Sequence, residues 1–94
     1  MERSVYEVWA FGVDKDNFCT DVEILMAKFG TEEQAVKFAE CFEKEDIIEN
    51  YSEQIKEFGE LEPADCFEIR VQGWYYTPDG HREFLESLCA HWAK

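Results

Sequence analysis

The sequence has little positive charge. Nine lysine and arginine residues stand against 22 aspartate and glutamate residues, so the net charge is −13 at neutral pH. Such a chain repels nucleic acid and anionic lipid and attracts basic surfaces or cations. We therefore expect no direct nucleic-acid binding and no membrane partner.

Long apolar runs are also missing. No stretch approaches the roughly 18 apolar residues that a membrane-spanning helix needs. Residues Met1 to Ser4 lack a basic region followed by an apolar run, so we expect no signal peptide. We expect a cytoplasmic protein, and in that compartment cysteines stay reduced. Free thiols are therefore favoured over two disulfides for Cys19, Cys41, Cys66 and Cys89.

Residues that form common catalytic and cofactor sites are sparse. The five glycines are isolated, which excludes a phosphate-binding glycine loop, and there is no CxxC pair for zinc. A metal site assembled from His81, His91 and a carboxylate is left as an alternative. No local pattern places a nucleophile beside a base, and 22 acids make chance carboxylate pairs certain. We expect no enzymatic activity, no cofactor and no metal.

Apolar and aromatic residues are plentiful by comparison. They make up 46% and 16% of the sequence, well above the content of a disordered acidic tail. Ninety-four residues have room for one core, so we expect a single compact domain over residues 1–94.

Three segments have strand composition. Val5 to Val13 and Thr20 to Phe29 are rich in β-branched and aromatic residues, and Asp14 to Asn17 between them is typical of a turn. These two segments predict an antiparallel hairpin. Cys66 to Thr77 alternates apolar and polar residues and predicts a third strand, followed by a turn at Thr77 to Gly80.

Three segments have helical periodicity. The first follows Gly30, with Thr31 as its N-cap, and is predicted to end near Lys44. The second is predicted from about Asp46 to Phe58, on the spacing of Ile47, Ile48, Tyr51, Ile55 and Phe58. The third is predicted from His81 to Lys94, where one face would carry Phe84, Leu85, Leu88, Cys89 and Trp92.

The predicted fold is therefore α+β in the order ββααβα. We expect a three-stranded, mainly antiparallel sheet with the helices packed on one face. Strand alternation assigns the core face to Tyr6, Val8, Ala10, Val22, Ile24, Met26, Phe67, Ile69 and Val71. The opposite face would hold Glu7, Trp9, Phe11, Asp21, Glu23, Leu25, Glu68, Arg70, Trp74 and Tyr76.

The first functional hypothesis rests on the acidic middle of the chain. Residues 31–65 hold twelve carboxylates against three lysines, a local net charge of −9. One face of the second predicted helix would carry Asp46, Glu49, Glu53 and Glu57, extended by Glu60 if the helix continues. We hypothesise a small protein-binding module that occupies the basic surface of a partner, such as a nucleic-acid-binding protein.

In charge and size the chain resembles small acidic inhibitors of phages and mobile elements, which mimic DNA and block host defence enzymes. This likeness involves no sequence motif. It implies a nucleic-acid mimic that competes for the basic surface of its partner.

The second hypothesis is a self-associating or scaffold domain. Trp9, Phe11, Trp74 and Tyr76 would form an aromatic patch on the sheet that a homodimer buries. The alternative for Trp74 to Tyr76 is a strand end with one ring in the core and two rings under the terminal helix.

Overall fold

The computed structural model describes residues 3–14, 19–57 and 66–94. They form one antiparallel sheet of four strands in the spatial order β2-β1-β3-β4. The strands are β1 (Arg3–Val13), β2 (Cys19–Phe29), β3 (Cys66–Tyr76) and β4 (Arg82–Ala93). Between β2 and β3 in the chain lie α1 (Glu32–Ala39), α2 (Lys44–Asn50) and α3 (Ser52–Lys56).

The core lies between the sheet and the helices. Alternate strand residues such as Val8, Ala10, Ile69 and Val71 are fully buried, and they cluster with Ala35, Ala39 and Ile47 from the helices. Tyr6 and Met26 pack against this cluster. The predicted core face is thereby confirmed, as are the three predicted strands and the first hairpin.

The predicted three-stranded sheet in the order ββααβα is wrong, because the C-terminal segment is a strand. Residues 82–93 form β4, which pairs with β3 from Phe67 to Tyr76 and satisfies its outer backbone groups. The predicted turn before this segment is present. Thr77 N donates to the carbonyl of His81 at 2.9 Å, and Gly80 has a φ of 90°. The turn therefore closes a β-hairpin.

Two irregularities in β4 explain why its sequence has helical spacing. Register shifts occur opposite Gly73/Trp74 and opposite Ile69/Arg70, so β4 carries an extra residue at each point. The shifts place Phe84 and Trp92 on one face and Leu88 on the other. Phe84, Leu88 and Trp92, which stand four residues apart like one side of a helix, therefore do not share a face.

The other helices are shorter than predicted. Thr31 caps α1, as predicted, and its hydroxyl accepts a hydrogen bond from Gln34 N at 3.3 Å. However, α1 ends at Ala39, and a new helix begins after Glu43, which forms a capping box with Asp46. In this capping box, Glu43 N donates to the Asp46 carboxylate at 2.9 Å.

The single helix predicted from Asp46 to Phe58 is interrupted at Tyr51. The backbone there leaves the helical region, with φ −124° and ψ 28°, and separates α2 from α3. The Tyr51 side chain packs against the core, and its hydroxyl donates to the carbonyl of Met26 in β2 at 3.5 Å. The predicted end at Phe58 and the turn at residues 15–17 lie outside the described residues.

No helix in the described ranges is long and apolar enough to span a membrane.

Gly73 lets the two central strands fit around an aromatic ring. It pairs with Tyr6, and a Cβ at position 73 would lie 2.9 Å from Cε1 of that ring. We expect Gly73→Ala to lower the free energy of unfolding by about 1–3 kcal/mol, measured by urea denaturation. Gly30→Ala is the matched control, because no atom lies within 4 Å of its added Cβ. Equal effects of the two substitutions would contradict this account.

Candidate functional site

One face of the sheet has no helix on it in the described part of the chain. We call it the open sheet face; its residues alternate along each strand with the core residues that contact the helices. It carries six aromatic rings and a leucine, which are Trp9, Phe11, Leu25, Trp74, Tyr76, Phe84 and Trp92. All four aromatic residues predicted to form an interface lie on this face and are half-buried.

The rings on the open sheet face contact one another. Trp9 and Phe11 stack with centroids 6.2 Å apart and planes at 20°, and Trp74 meets Phe84 edge to face at 5.5 Å. Phe84 is nevertheless 55% exposed and Trp92 is 41% exposed. Ring pairs of this kind hold large apolar groups in defined positions at the surface.

A buried carboxylate lies at the centre of this face. Glu7 is 3% exposed, and Trp9 Nε1 donates a hydrogen bond of 3.1 Å to its Oε1. Two cations approach its Oε2, Lys28 Nζ at 3.9 Å and Arg82 Nη1 at 3.6 Å. Arg82 also lies over the ring of Trp74, at 3.9 Å from the centroid. The cluster therefore joins β1, β2, β3 and β4 through charge and aromatic contact.

Two further cations of the open sheet face, Arg70 and Arg3, also have local contacts. Arg70 makes a 2.8 Å ion pair with Glu68 and donates to the hydroxyl of Ser87 at 3.0 Å. Arg3 lies over the ring of Tyr76 at 5.6 Å. Among the side chains described on this face, four are cations (Arg3, Lys28, Arg70, Arg82) and three are acids (Glu7, Glu23, Glu68). These described side chains therefore sum to a net charge of +1 in a chain of −13.

The helices on the other side of the sheet carry a dense group of acidic residues. We call residues 32–57 the acidic helical layer; they hold nine carboxylates against three lysines, a net charge of −6. Seven of these acids are exposed, at positions 33, 40, 43, 45, 49, 53 and 57. The chain thus separates a nearly neutral aromatic face from an acidic one.

Crowding of acids extends to the border between α1 and β4. A hydrogen bond with the carboxyl group of Glu86 raises the pKa of Glu32, and partial desolvation and the charge of Glu86 raise it further. This carboxyl pair lies at the edge of the acidic helical layer.

The residues of the predicted acidic stripe are not all free for a partner. Glu49, Glu53 and Glu57 are exposed, but they are divided between two helices by the break at Tyr51. The carboxylate of Asp46 accepts the capping hydrogen bond at the start of α2. Glu60 lies outside the described residues.

The histidines that the sequence left as candidate metal ligands lie in different environments. His91 Nε2 is 2.9 Å from the carbonyl of Phe42, whereas His81 is exposed beside Asp79 in the hairpin turn. In the described ranges no group of three histidine, cysteine or acidic side chains is placed to hold a metal ion. The three cysteines whose side chains are described, Cys41, Cys66 and Cys89, are free thiols.

Sequence reasoning missed several residues of the open sheet face, among them Phe84, Trp92 and Arg82. Phe84 and Trp92 were assigned to a helix, and the contact of Arg82 with Glu7 joins residues far apart in the chain. The signal that identifies them is the turn at Thr77 to Gly80 directly after a strand, which is typical of a hairpin.

The described residues thus present two contrasting surfaces, the open sheet face and the acidic helical layer. Comparisons with protein-family models, with curated proteins and with solved structures return no match.

Proposed function

We propose that the protein is a non-catalytic binding module whose acidic helical layer meets the basic surface of a protein partner. The observation that supports this proposal is the separation of charge. The cations Lys28, Arg70 and Arg82 lie on the open sheet face and so do not neutralise the helices. Residues 32–57 have a net charge of −6. A partner approaching the helices therefore meets carboxylates with few neutralising charges.

The class of partner follows from electrostatic complementarity. Basic surfaces of this kind occur on proteins that bind nucleic acid, where lysines and arginines contact phosphates. A carboxylate layer that occupies such a surface excludes the nucleic acid, so the proposed outcome is inhibition by competition. Because the contacts are charged and exposed, the affinity should fall steeply as salt rises above about 0.1 M.

Charge reversal in the acidic helical layer tests this function. We expect the double variant Glu49→Lys/Glu53→Lys to lower partner affinity at least about tenfold at low salt, because two exposed carboxylates become cations. The control Glu23→Lys/Glu83→Lys makes the same change in net charge at two exposed strand residues outside the acidic helical layer and should retain binding. Both variants should fold normally by circular dichroism.

The measurement is affinity capture with the wild type and both variants, followed by identification of the bound proteins. The expected result is a set of basic nucleic-acid-binding proteins that the wild type and the control retain, that the Glu49/Glu53 variant loses, and that added DNA displaces. Recovery of no basic protein at low salt, or equal loss in both variants, would overturn the proposal.

A further inference from the structure

The open sheet face has the size of a stable protein interface. Its four strands have 11 or 12 residues each. At about 3.3 Å per residue and about 4.8 Å between strands, they cover roughly 700 Å² before side-chain relief is counted. A standard interface buries about 800 Å² on each partner. The exposed fractions of Phe84, Trp92 and Leu25, which are 55%, 41% and 40%, show how much apolar surface is left in water.

The charge on this face suits a second copy of the chain. Its described charges sum to +1, with cations and acids side by side, so two identical faces do not repel each other as the acidic helical layers would. Face-to-face packing also keeps the two helical layers apart. Two sheets about 10 Å apart, each backed by helices about 10 Å further out, separate the layers by about 30 Å. That is more than three Debye lengths at physiological salt.

The sheet edges are less suited to association than the face. Both outer strands, β2 and β4, contain register shifts in their pairing, near Met26 in β2 and near Leu85 and Ala90 in β4. Such irregularities twist an edge and interrupt the row of backbone groups that another strand would need. Pairing by strand addition at an edge is therefore disfavoured, and the open sheet face is the better surface for association.

We propose that the open sheet face packs against the same face of a second copy, forming a two-fold symmetric homodimer with both acidic helical layers outside. This inference goes beyond the proposed function, because it uses the opposite side of the molecule. The ring pairs Trp9–Phe11 and Trp74–Phe84 are already in contact within one chain, so their positions are set before association. Such preorganisation lowers the entropy cost of binding.

Single-stranded nucleic acid is the rival occupant of an aromatic sheet face. Such sites combine stacking rings with cations that track the phosphates. Here Arg70 is engaged by Glu68, and Arg82 and Lys28 approach Glu7. With these cations already paired and a net charge of −13 on the chain, the observations favour a second copy.

Sedimentation of the full chain tests the homodimer. Between about 1 μM and about 1 mM at 0.15 M salt, we expect the mass to rise from 11.1 kDa to twice that value.

Leu25→Ser should weaken the dimer at least about tenfold, because an apolar contact on the face is lost. Ile48→Ser is the matched control; Ile48 lies in α2 and is 38% exposed, against 40% for Leu25. It should leave the dimer unchanged.

Cysteine alkylation locates the surface that is buried. Cys89 is exposed on the open sheet face, where it pairs with Arg70, and Cys41 is exposed after α1. Partial burial raises the pKa of the Cys89 thiol, and the charge of Glu68 raises it further. The alkylation rate of Cys89 is therefore compared between low and high protein concentration, not with the rate of Cys41. We expect the alkylation rate of Cys89 to fall severalfold at high concentration while the rate of Cys41 stays constant.

Three outcomes would overturn the homodimer. They are a monomer throughout the series, a dimer that Leu25→Ser and Ile48→Ser affect equally, and a monomer whose tryptophan fluorescence is quenched by a single-stranded oligonucleotide. None of them bears on the acidic helical layer, whose partner binding is measured with Glu49→Lys/Glu53→Lys. The two proposals therefore fail independently.

Discussion

An Ile47→Ala variant should lose about 3 kcal/mol of unfolding free energy, whereas Ile48→Ala should lose less than about 1 kcal/mol. The two residues are adjacent in α2 and chemically identical. Ile47 is fully buried in the core cluster, while Ile48 is 38% exposed. The difference between the two variants therefore isolates burial from helix propensity, which is the same in both.

The size of the Ile47 effect follows from its position. It is the one fully buried residue of α2, and α3 has none, so this side chain is the most deeply buried contact of residues 44–57 with the core, beside the partly buried Tyr51 and Ile55. Removing three carbons leaves a cavity that the surrounding side chains fill only in part. In a domain with a total stability of about 5–15 kcal/mol, such a loss is large.

Urea denaturation measures this difference, and amide hydrogen exchange locates it. We expect faster exchange over residues 44–57 in Ile47→Ala, with less change in β1 and β3. A uniform acceleration over the whole chain would contradict the view that Ile47 anchors this segment. Equal destabilisation by both substitutions would contradict the observed burial.

The double variant Lys28→Met/Arg82→Met should lose about 3 kcal/mol of unfolding free energy, measured at a concentration where the protein is monomeric. The carboxylate of Glu7 is 3% exposed and has these two cations as its ion-pair partners in the described structure. Without them, the negative charge stays buried and keeps, among the described residues, the hydrogen bond from Trp9 Nε1. A buried charge without compensation is among the most costly defects in a fold.

A third substitution separates charge from packing. Adding Glu7→Gln to the double variant should recover most of the lost stability, because a neutral amide can still accept the hydrogen bond from Trp9. In the wild-type background Glu7→Gln should cost only about 1 kcal/mol, because Lys28 and Arg82 are about half exposed and regain water. The effects of Glu7→Gln should therefore differ in sign between the two backgrounds.

The control for net charge is Lys56→Met/Lys94→Met, which removes two exposed cations elsewhere on the chain. It should change stability by less than about 1 kcal/mol in total. If this control costs as much as Lys28→Met/Arg82→Met, general repulsion in an acidic chain explains the loss. If Glu7→Gln gives no recovery in the double variant, the local cluster is not responsible.

Local sequence patterns were sufficient for about half of this fold. The alternation from Cys66 to Tyr76 and the β-branched composition of β1 and β2 predicted three strands and the correct core face. The N-cap at Thr31 was also evident, because its hydroxyl bonds within its own helical turn. In each case the decisive interaction joins residues close in the chain or follows a strict period of two.

The errors arose where a distant contact overrides the local pattern. In β4, two register shifts disturb the alternation, and pairing with β3 decides the conformation. At Tyr51, a side chain that reaches Met26, 25 residues earlier, accompanies the break between α2 and α3. The candidate aromatic interface was predicted in four of its residues, but Phe84 and Trp92 joined it only once β4 was a strand.

The central claim is that the two sides of this protein are separate interaction surfaces, one for a second copy and one for a basic partner. Amide chemical-shift mapping of the labelled protein tests it directly. Concentrating the protein alone should shift resonances of the open sheet face, such as those of Leu25, Phe84 and Trp92, and leave those of α2 and α3 unchanged. When the labelled protein is kept at low concentration, adding a basic nucleic-acid-binding domain should shift the amide resonances of α2 and α3. Shifts of the same residues in both titrations would contradict the account.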